Sequence, residues 1–545
     1  MRSRLSMRAV SRVMVLGLAL AAGMVMCAEA RAQLRQDEVL VVYDSRVADS
    51  REVAAYYAGS VRVAGAAVTR RGLRRGVFVL DLATTGAAVA TAPDISYANF
   101  IARLRDPIRN HLVSRGMTRQ IRAIVTTKGL AHRILDTDLP AAGDNPSLLI
   151  GEYSANDATC ASVEAELALL YQNLTAGEAG GGNDSFADGA ILNPFWKQTR
   201  ALSSLVNTNI TAAKTFTASG GGPTWLAAGA GASRLVPGDV LIVSRLDAPT
   251  LADVRGMIDR ASRVYYDVAN HVVLLDESDS NGIADGGPNG ELDNSAGGFT
   301  PLRDADDYEI SRDEMLGDGR FFPAFTRYNA LAGGTQFFGG PRIMWQAPGP
   351  ILVLPPAVLI ASQGANHNGR PRDQDTGTLA DTFYATTFNM ADGCIFNSIE
   401  SYNGRAFGGL GQISFAQQQQ ASSFIAAGGT FAIGNVWEPL ADTIADNRYL
   451  LRNFVRGSLS WGEAALSATP GLSWMQMTIG DPLAKAHRSS EDVDGSLRVD
   501  AADLYAWERT PTDVNRSGTP DGTDRALVIG SVRAWERAGM LSGRR

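Results

Sequence analysis

The stretch from Gly393 to Pro439 constrains the fold most. It reads GCIFNSIESYNGRAF and then GGLGQISFAQQQQASSFIAAGGTFAIGNVWEP. Cys394, Ile395, Phe396 and Ile399 make an apolar run of strand length. Gly404, Gly408, Gly409 and Gly411 mark a loop, Phe415 to Ala427 has helical character, and Gly428-Gly429 stops it. Thr430 to Val436 is a second apolar run. Two buried strands joined by a helix predict a parallel βαβ unit. Ligands of such sheets gather at the carboxyl ends of the strands. Here those ends carry Glu400, Ser401, Tyr402 and Asn403, then Trp437 and Glu438.

The same alternation recurs along the chain. Strands are expected at Val39–Tyr43, Gly76–Leu82, Ile121–Thr126, Asp239–Leu246 and Val272–Leu275. The run Ile351–Ser362 is interrupted by Pro355-Pro356. Asp49-Ser50-Arg51-Glu52 has the form of a capping box opening a helix through Tyr57. Phe100, Leu104, Ile108 and Leu112 share one helix face, with Arg105 and Arg109 directed elsewhere. Further helices are expected at Ser162–Asn173, Leu251–Ile258, Arg448–Val455 and Glu463–Leu466. The fold class is therefore α/β, with a mostly parallel sheet flanked by helices. Residues 136–235 are glycine-rich and read as an irregular insertion.

With 545 residues the chain exceeds one ordinary domain. Its 45% apolar and 20% charged content is that of a globular protein, and a net charge of −7 argues against nucleic acid as a partner. Arg2, Arg4, Arg8 and Arg12 precede the apolar run Val13–Ala22, and Ala30-Arg31-Ala32 is a small-x-small cleavage site. This is the pattern of a secretory signal over residues 1–32, so secretion is expected; no later stretch is long and apolar enough to span a bilayer. A core over 33–485 and a tail over 486–545 complete the expected division. Cys27 leaves with the signal. Cys160 and Cys394 either pair or remain buried thiols.

The tail holds the most specific pattern. One loop reads Asp492-Val-Asp494-Gly-Ser496-Leu-Arg498-Val499-Asp500-Ala-Ala-Asp503, the other Asp513-Val-Asn515-Arg-Ser517-Gly-Thr519-Pro520-Asp521-Gly-Thr-Asp524. Each puts oxygen-bearing side chains at positions 1, 3, 5, 9 and 12 of a calcium-binding loop. Arg498 and Thr519 supply the backbone carbonyl of position 7. The acidic turn with Glu277, Asp279, Asn281 and Asp285 is a candidate for a further Ca2+ site. No clustered Cys/His spacing suggests zinc.

Several segments resemble an uncharacterised family of bacterial secreted proteins: VLVVYDSRVADSREVAAYYAGS, IRAIVTTKGL, DVLIVSRLDAPTLADVRGMID, FIAAGGTFAIGNVWEPL and LSWMQMTIGDPL. The layout is similar to that of gingipain-like, caspase-fold cysteine peptidases, in which one strand ends in His-Gly and the next in Cys. Here the first of these strands leads to Asn366-His367-Asn368-Gly369, and the second ends at Glu400-Ser401-Tyr402-Asn403. The resemblance implies His367, Ser401 and Glu400 as catalytic candidates, with His132 as another possible base. Cys394 lies at the opposite end of its strand, where packing is expected. The tail resembles a dockerin-type tandem of EF-hand-like loops, with Leu497 in place of the usual turn glycine. That resemblance implies a cohesin-like or cell-surface partner. Two functions are thus expected: a secreted protein docked or displayed through a calcium-binding tail, or a secreted caspase-fold-like hydrolase.

Overall fold

The computed structural model describes residues 33–63, 66–69, 72–90, 92–135, 161–171, 191–200, 215–219, 222–226, 240–267, 270–276, 308–318, 321, 323–329, 337–342, 350–363, 386–400, 402–408, 420–437, 444–457, 459–487, 491–494, 499–515, 517 and 519–542. The signal segment 1–32 and Cys160 lie outside them.

Ten strands form the central sheet. In chain order they are β1 (Val39–Tyr43), β2 (Phe78–Asp81), β3 (Ala123–Thr127), β4 (Ile242–Leu246), β5 (Val272–Asp276), β6 (Thr326–Asn329), β7 (Ala357–Gln363), β8 (Met390–Ile399), β9 (Phe431–Asn435) and β10 (Gln476–Ile479). Their spatial order is β6-β5-β7-β8-β9-β10-β4-β3-β1-β2. Every neighbouring pair is parallel except β9 and β10, where Ala432 faces Ile479 and Asn435 faces Gln476 in antiparallel register. The sheet is thus two parallel halves of opposite direction. One half contains β1–β4 and β10, the other β5–β9. The expected βαβ unit is present: Ile395 pairs with Phe431 in parallel register.

Helices cover both faces, which explains the continuous apolar runs. They include α1 (Ala48–Ala58), α2 (Asp106–Ser114), α3 (Val163–Leu167), α4 (Leu251–Ala261), α5 (Tyr308–Gly317), α6 (Gln420–Ala426) and α7 (Trp461–Ala468). All five residues of β1 are buried. Alternation along β8 and β9 sorts side chains between two cores. Phe396 and Ala432 join α4 and α6 through Met257, Ile258 and Phe424; Ile395, Phe431 and Ile433 join Phe454 and Trp461. Phe431 and Trp461 stack with ring centroids 4.6 Å apart. Burial of each such aromatic contributes roughly 1.5–3 kcal/mol.

Local sequence accounts for the helix starts. Thr250 and Asp253 form a reciprocal capping box on α4, and Ser460 and Glu463 do so on α7. The expected box at Asp49 is not formed. α1 begins at Ala48 after Val47, which makes no side-chain cap, so Asp49 falls in the first turn. There its charge complements the helix dipole. Arg105 is buried rather than turned to solvent and pairs with Asp106 at 2.9 Å. A π-helical turn at Ile101–Arg105 rotates it inward.

The interruption at Pro355-Pro356 is real: Pro350–Leu352 lies in a separate two-stranded sheet with Phe337–Gly339, and β7 starts at Ala357. Within 136–235, Thr215–Ser219 pairs antiparallel with Gly222–Leu226. That hairpin joins Ile191–Leu192 and Gly471–Leu472 in a small sheet.

Two helices follow the core: α8 (Ala501–Arg509) and α9 (Gly522–Ser542). Among the described residues no helix is long and apolar enough to cross a membrane.

Candidate functional site

Asp500 caps α8 by accepting the Ala502 N–H at 2.7 Å. Asp503, in the first turn, reaches back. Its two oxygens accept the N–H groups of Asp494 at 3.0 Å and of Asp500 at 2.8 Å. The same pattern recurs at α9. Asp521 accepts the Thr523 N–H at 2.7 Å, while Asp524 accepts those of Asn515 at 2.8 Å and Asp521 at 2.7 Å. In each loop the carboxylate at position 12 therefore ties together the backbone at positions 3 and 9.

A small apolar cluster joins the two loops. It contains Val499, Trp507, Val514, Val528 and Val532, with Val493 and Leu504 packed against it. Val493 and Val514 occupy equivalent positions in their loops. Trp507 also donates to the Thr512 carbonyl at 2.9 Å.

Asp492, Asp494 and Asp503 bring carboxylate oxygens within 4.8 Å of one another, so this triad can hold a metal ion. The donor set is all oxygen, which suits a hard cation rather than zinc or copper. Burial, with repulsion from Asp494 and Asp500, pushes the Asp503 carboxyl up to about 6. Backbone N–H groups, that of Asn515 foremost, hold Asp524 below the usual carboxylate range.

The first loop is attached to the core. His487, which sequence position alone places in a linker, is half-buried against the core. Its N–H donates to the Val264 carbonyl at 3.2 Å, and its carbonyl accepts the Tyr266 N–H at 2.8 Å. Its Nδ1 contacts the carbonyl of Asp492, the first loop residue. Lys485 lies in the field of Asp494 and Asp492, although burial lowers its pKa. No sequence signal marks these contacts, because they depend on which part of the core the segment meets.

Of the remaining tail residues, Asp513, Asn515, Ser517, Thr519 and Asp521 are in place around the second loop. The Ser517 N–H donates to Asp513 Oδ1 and to Asn515 Oδ1, each at 2.9 Å. Ser496 and Arg498 lie outside the described residues, as do Glu277, Asp279, Asn281 and Asp285.

The strand ends of the second half form another polar region. Glu400 is half-buried at the end of β8, and its carbonyl accepts Asn435 Nδ2 at 2.9 Å. Tyr402 has a left-handed backbone, φ 60°, and donates its N–H to the Trp437 carbonyl at 3.0 Å. A bulky side chain at positive φ is strained, and such strain concentrates at functional positions. Trp437 lies 5.4 Å from the Arg133 guanidinium and 5.7 Å from that of Arg405. His367 and Ser401 fall outside the described residues. His132 is buried, and burial together with Arg245 and Arg133 depresses its pKa well below the ordinary value. Its Nε2 lies 2.8 Å from the Arg405 carbonyl. A carbonyl only accepts, so Nε2 carries the proton and is engaged there. In that tautomer Nδ1 carries the ring's lone pair.

Cys394 is a buried free thiol whose pKa is pushed well above the ordinary value by burial. It lies in the middle of β8, Met390–Ile399, rather than at the strand's start as expected, because the strand begins four residues earlier. No family model, curated protein or solved structure matches the chain.

Proposed function

We propose that the two C-terminal loops bind calcium and that this tail docks or displays a secreted α/β protein through a cell-surface or cohesin-like partner. The observation carrying the reading is the repeated hydrogen-bond scaffold of Asp503 and Asp524, on loops whose remaining donors are also oxygens. Calcium takes six to eight oxygen ligands in flexible geometry. Asp492, Asp494, Ser496, the Arg498 carbonyl, Asp500 and Asp503 would serve one ion. Asp513, Asn515, Ser517, the Thr519 carbonyl, Asp521 and Asp524 would serve the other. The ion offsets the mutual repulsion of the carboxylates, and the apolar cluster around Trp507 holds the loops together.

The test is calorimetric titration of the full chain with calcium after chelation. Two ions should bind, and Asp492→Asn or Asp513→Asn should each remove one. Absence of uptake at millimolar calcium, within the range of extracellular sites, would refute the reading.

A further inference from the structure

β4 and β10 meet over only two residue pairs, Ser244 with Thr478 and Arg245 with Ile479. On its other side β4 runs beside β3 along all five of its residues. Where the short ladder stops, a cavity of about 40 Å³ opens beside Ile242 and Met477, with Ala168 and Leu466 also in its wall. Glu164 and Gln476 line it too. Local bonds explain why these two meet. Ser162 caps α3 by accepting the Ala165 N–H at 2.9 Å, and its hydroxyl donates to the Gln476 carbonyl at 2.6 Å. That bond sets Gln476 beside the first turn of α3, which carries Glu164. Glu164 Oε1 accepts the Thr126 hydroxyl at 2.7 Å and Arg245 Nε at 2.9 Å. Its Oε2 has no hydrogen-bond partner among the described residues, and neither has Oε1 or Nε2 of Gln476. Glu164 is 2% exposed and Gln476 4%. Buried polar groups are normally satisfied, and the cavity these two share supplies room for a partner.

We propose that this cavity binds a small neutral molecule bearing a primary carboxamide. The unpaired set is two acceptors, Glu164 Oε2 and Gln476 Oε1, and one donor group, Gln476 Nε2. A primary carboxamide offers the reverse: two N–H donors and one carbonyl acceptor in a plane. One N–H and the carbonyl pair reciprocally with the Gln476 amide, and the second N–H is left for Glu164. An ammonium group would leave Gln476 Nε2 unpaired, and a carboxylate would meet Glu164 with like charge. The Glu164 charge is already matched by Arg245 at 2.9 Å, which also favours a neutral ligand. The cavity exceeds the roughly 10–15 Å³ that one water needs and is of the order required by a group of three non-hydrogen atoms. Its apolar wall of Ala168, Ile242, Leu466 and Met477 suits the hydrocarbon end of the ligand.

The experiment uses the full chain and saturation-transfer NMR with acetamide, and ethanol, acetate and methylammonium as controls. Acetamide should bind saturably in the millimolar range, as expected of so small a molecule, and more tightly than any control. Gln476→Met, of nearly the same shape, should weaken that binding about tenfold or more, since it removes both partners of the amide pair. It should leave the thermal midpoint of the unliganded protein unchanged or raise it, because a purely structural role would instead lower it. Ala168→Val fills the cavity without touching a polar group and should abolish binding; it gives the readout if the first variant fails to fold. Three results would overturn the proposal: no saturable acetamide binding up to about 100 mM, which would mean a cavity holding water only, a control bound as tightly as acetamide, or binding unaltered in the variants.

Discussion

Gly404 lies directly against Gly434. A Cβ at residue 404 would stand 2.9 Å from the Gly434 backbone, and one at 434 would stand 3.0 Å from the Gly404 Cα. The pair lets the segment after β8 cross β9 at backbone contact, and Asn403 reaches Asn435 through that approach. Gly404→Ala or Gly434→Ala should therefore overpack the junction and destabilise the protein by about 1–3 kcal/mol. Urea denaturation measures this; an unchanged midpoint for both variants would contradict the packing described.

Arg245 is fully buried and pairs with Glu164 at 2.9 Å and with Asp247 at 3.0 Å, while donating to the carbonyls of Leu130 and Ala131. Arg245→Leu would leave two carboxylates buried with one cation fewer. A loss of about 3–5 kcal/mol is expected. A stability within experimental error of the parent would show that the carboxylates find other partners.

Glu166 is buried, and its carboxyl is pushed up to about 8, first by burial and against the Ser473 hydroxyl and Arg105. An unfolded glutamate ionises near pH ~4.3. Between these values the folded chain holds a proton that the unfolded chain has released, so stability falls as pH rises and levels off above about 8. Glu166→Gln should remove that slope. Its advantage over the parent should grow from little near pH ~4.3 to the order of a few kcal/mol at the alkaline end. Chemical denaturation across that range shows whether the difference is instead flat.

The Cys394 thiol is buried within β8. Thiol labelling at this position should be slow in the native protein and fast in denaturant, because burial both raises its pKa and blocks access. Rapid native labelling would place the residue at the surface.

Calcium should raise the thermal midpoint of the whole chain, not only of the tail, because His487 bonds the core at Val264 and Tyr266 and contacts Asp492. A ligand at about 100 times its Kd stabilises by about 2.7 kcal/mol when it binds only the folded state. Asp492→Asn should abolish most of the shift in scanning calorimetry. A shift confined to a separate tail transition would show that the loop and the core unfold independently.

The sheet was legible where apolar runs are long. β1, β3, β4, β5 and β9 announce themselves because both of their faces are covered. Gln476–Ile479 does not, because its polar Gln476 and Thr478 alternate with Met477 and Ile479 over only four residues. Thr326–Asn329 is half-buried for three of its four residues and lacks an apolar run altogether. The triad of Asp492, Asp494 and Asp503 was legible because the carboxylates recur at a fixed local spacing. The contact of Asn403 with Asn435 was not, since the two residues come from separate segments and no short pattern relates them.

The antiparallel joint has a consequence for the order in which the chain can take shape. Strands β1–β4 come from residues 39–246 and β5–β9 from 272–435, so each half is nearly contiguous in sequence. The strand that unites them, β10, is the last of the ten to leave the ribosome. Until residue 479 has emerged, β4 and β9 each present a row of unpaired backbone groups, the kind of edge that invites intermolecular pairing. β10 is the keystone of the arch: a nascent chain halted shortly before it has two nearly complete half-sheets and no way to join them.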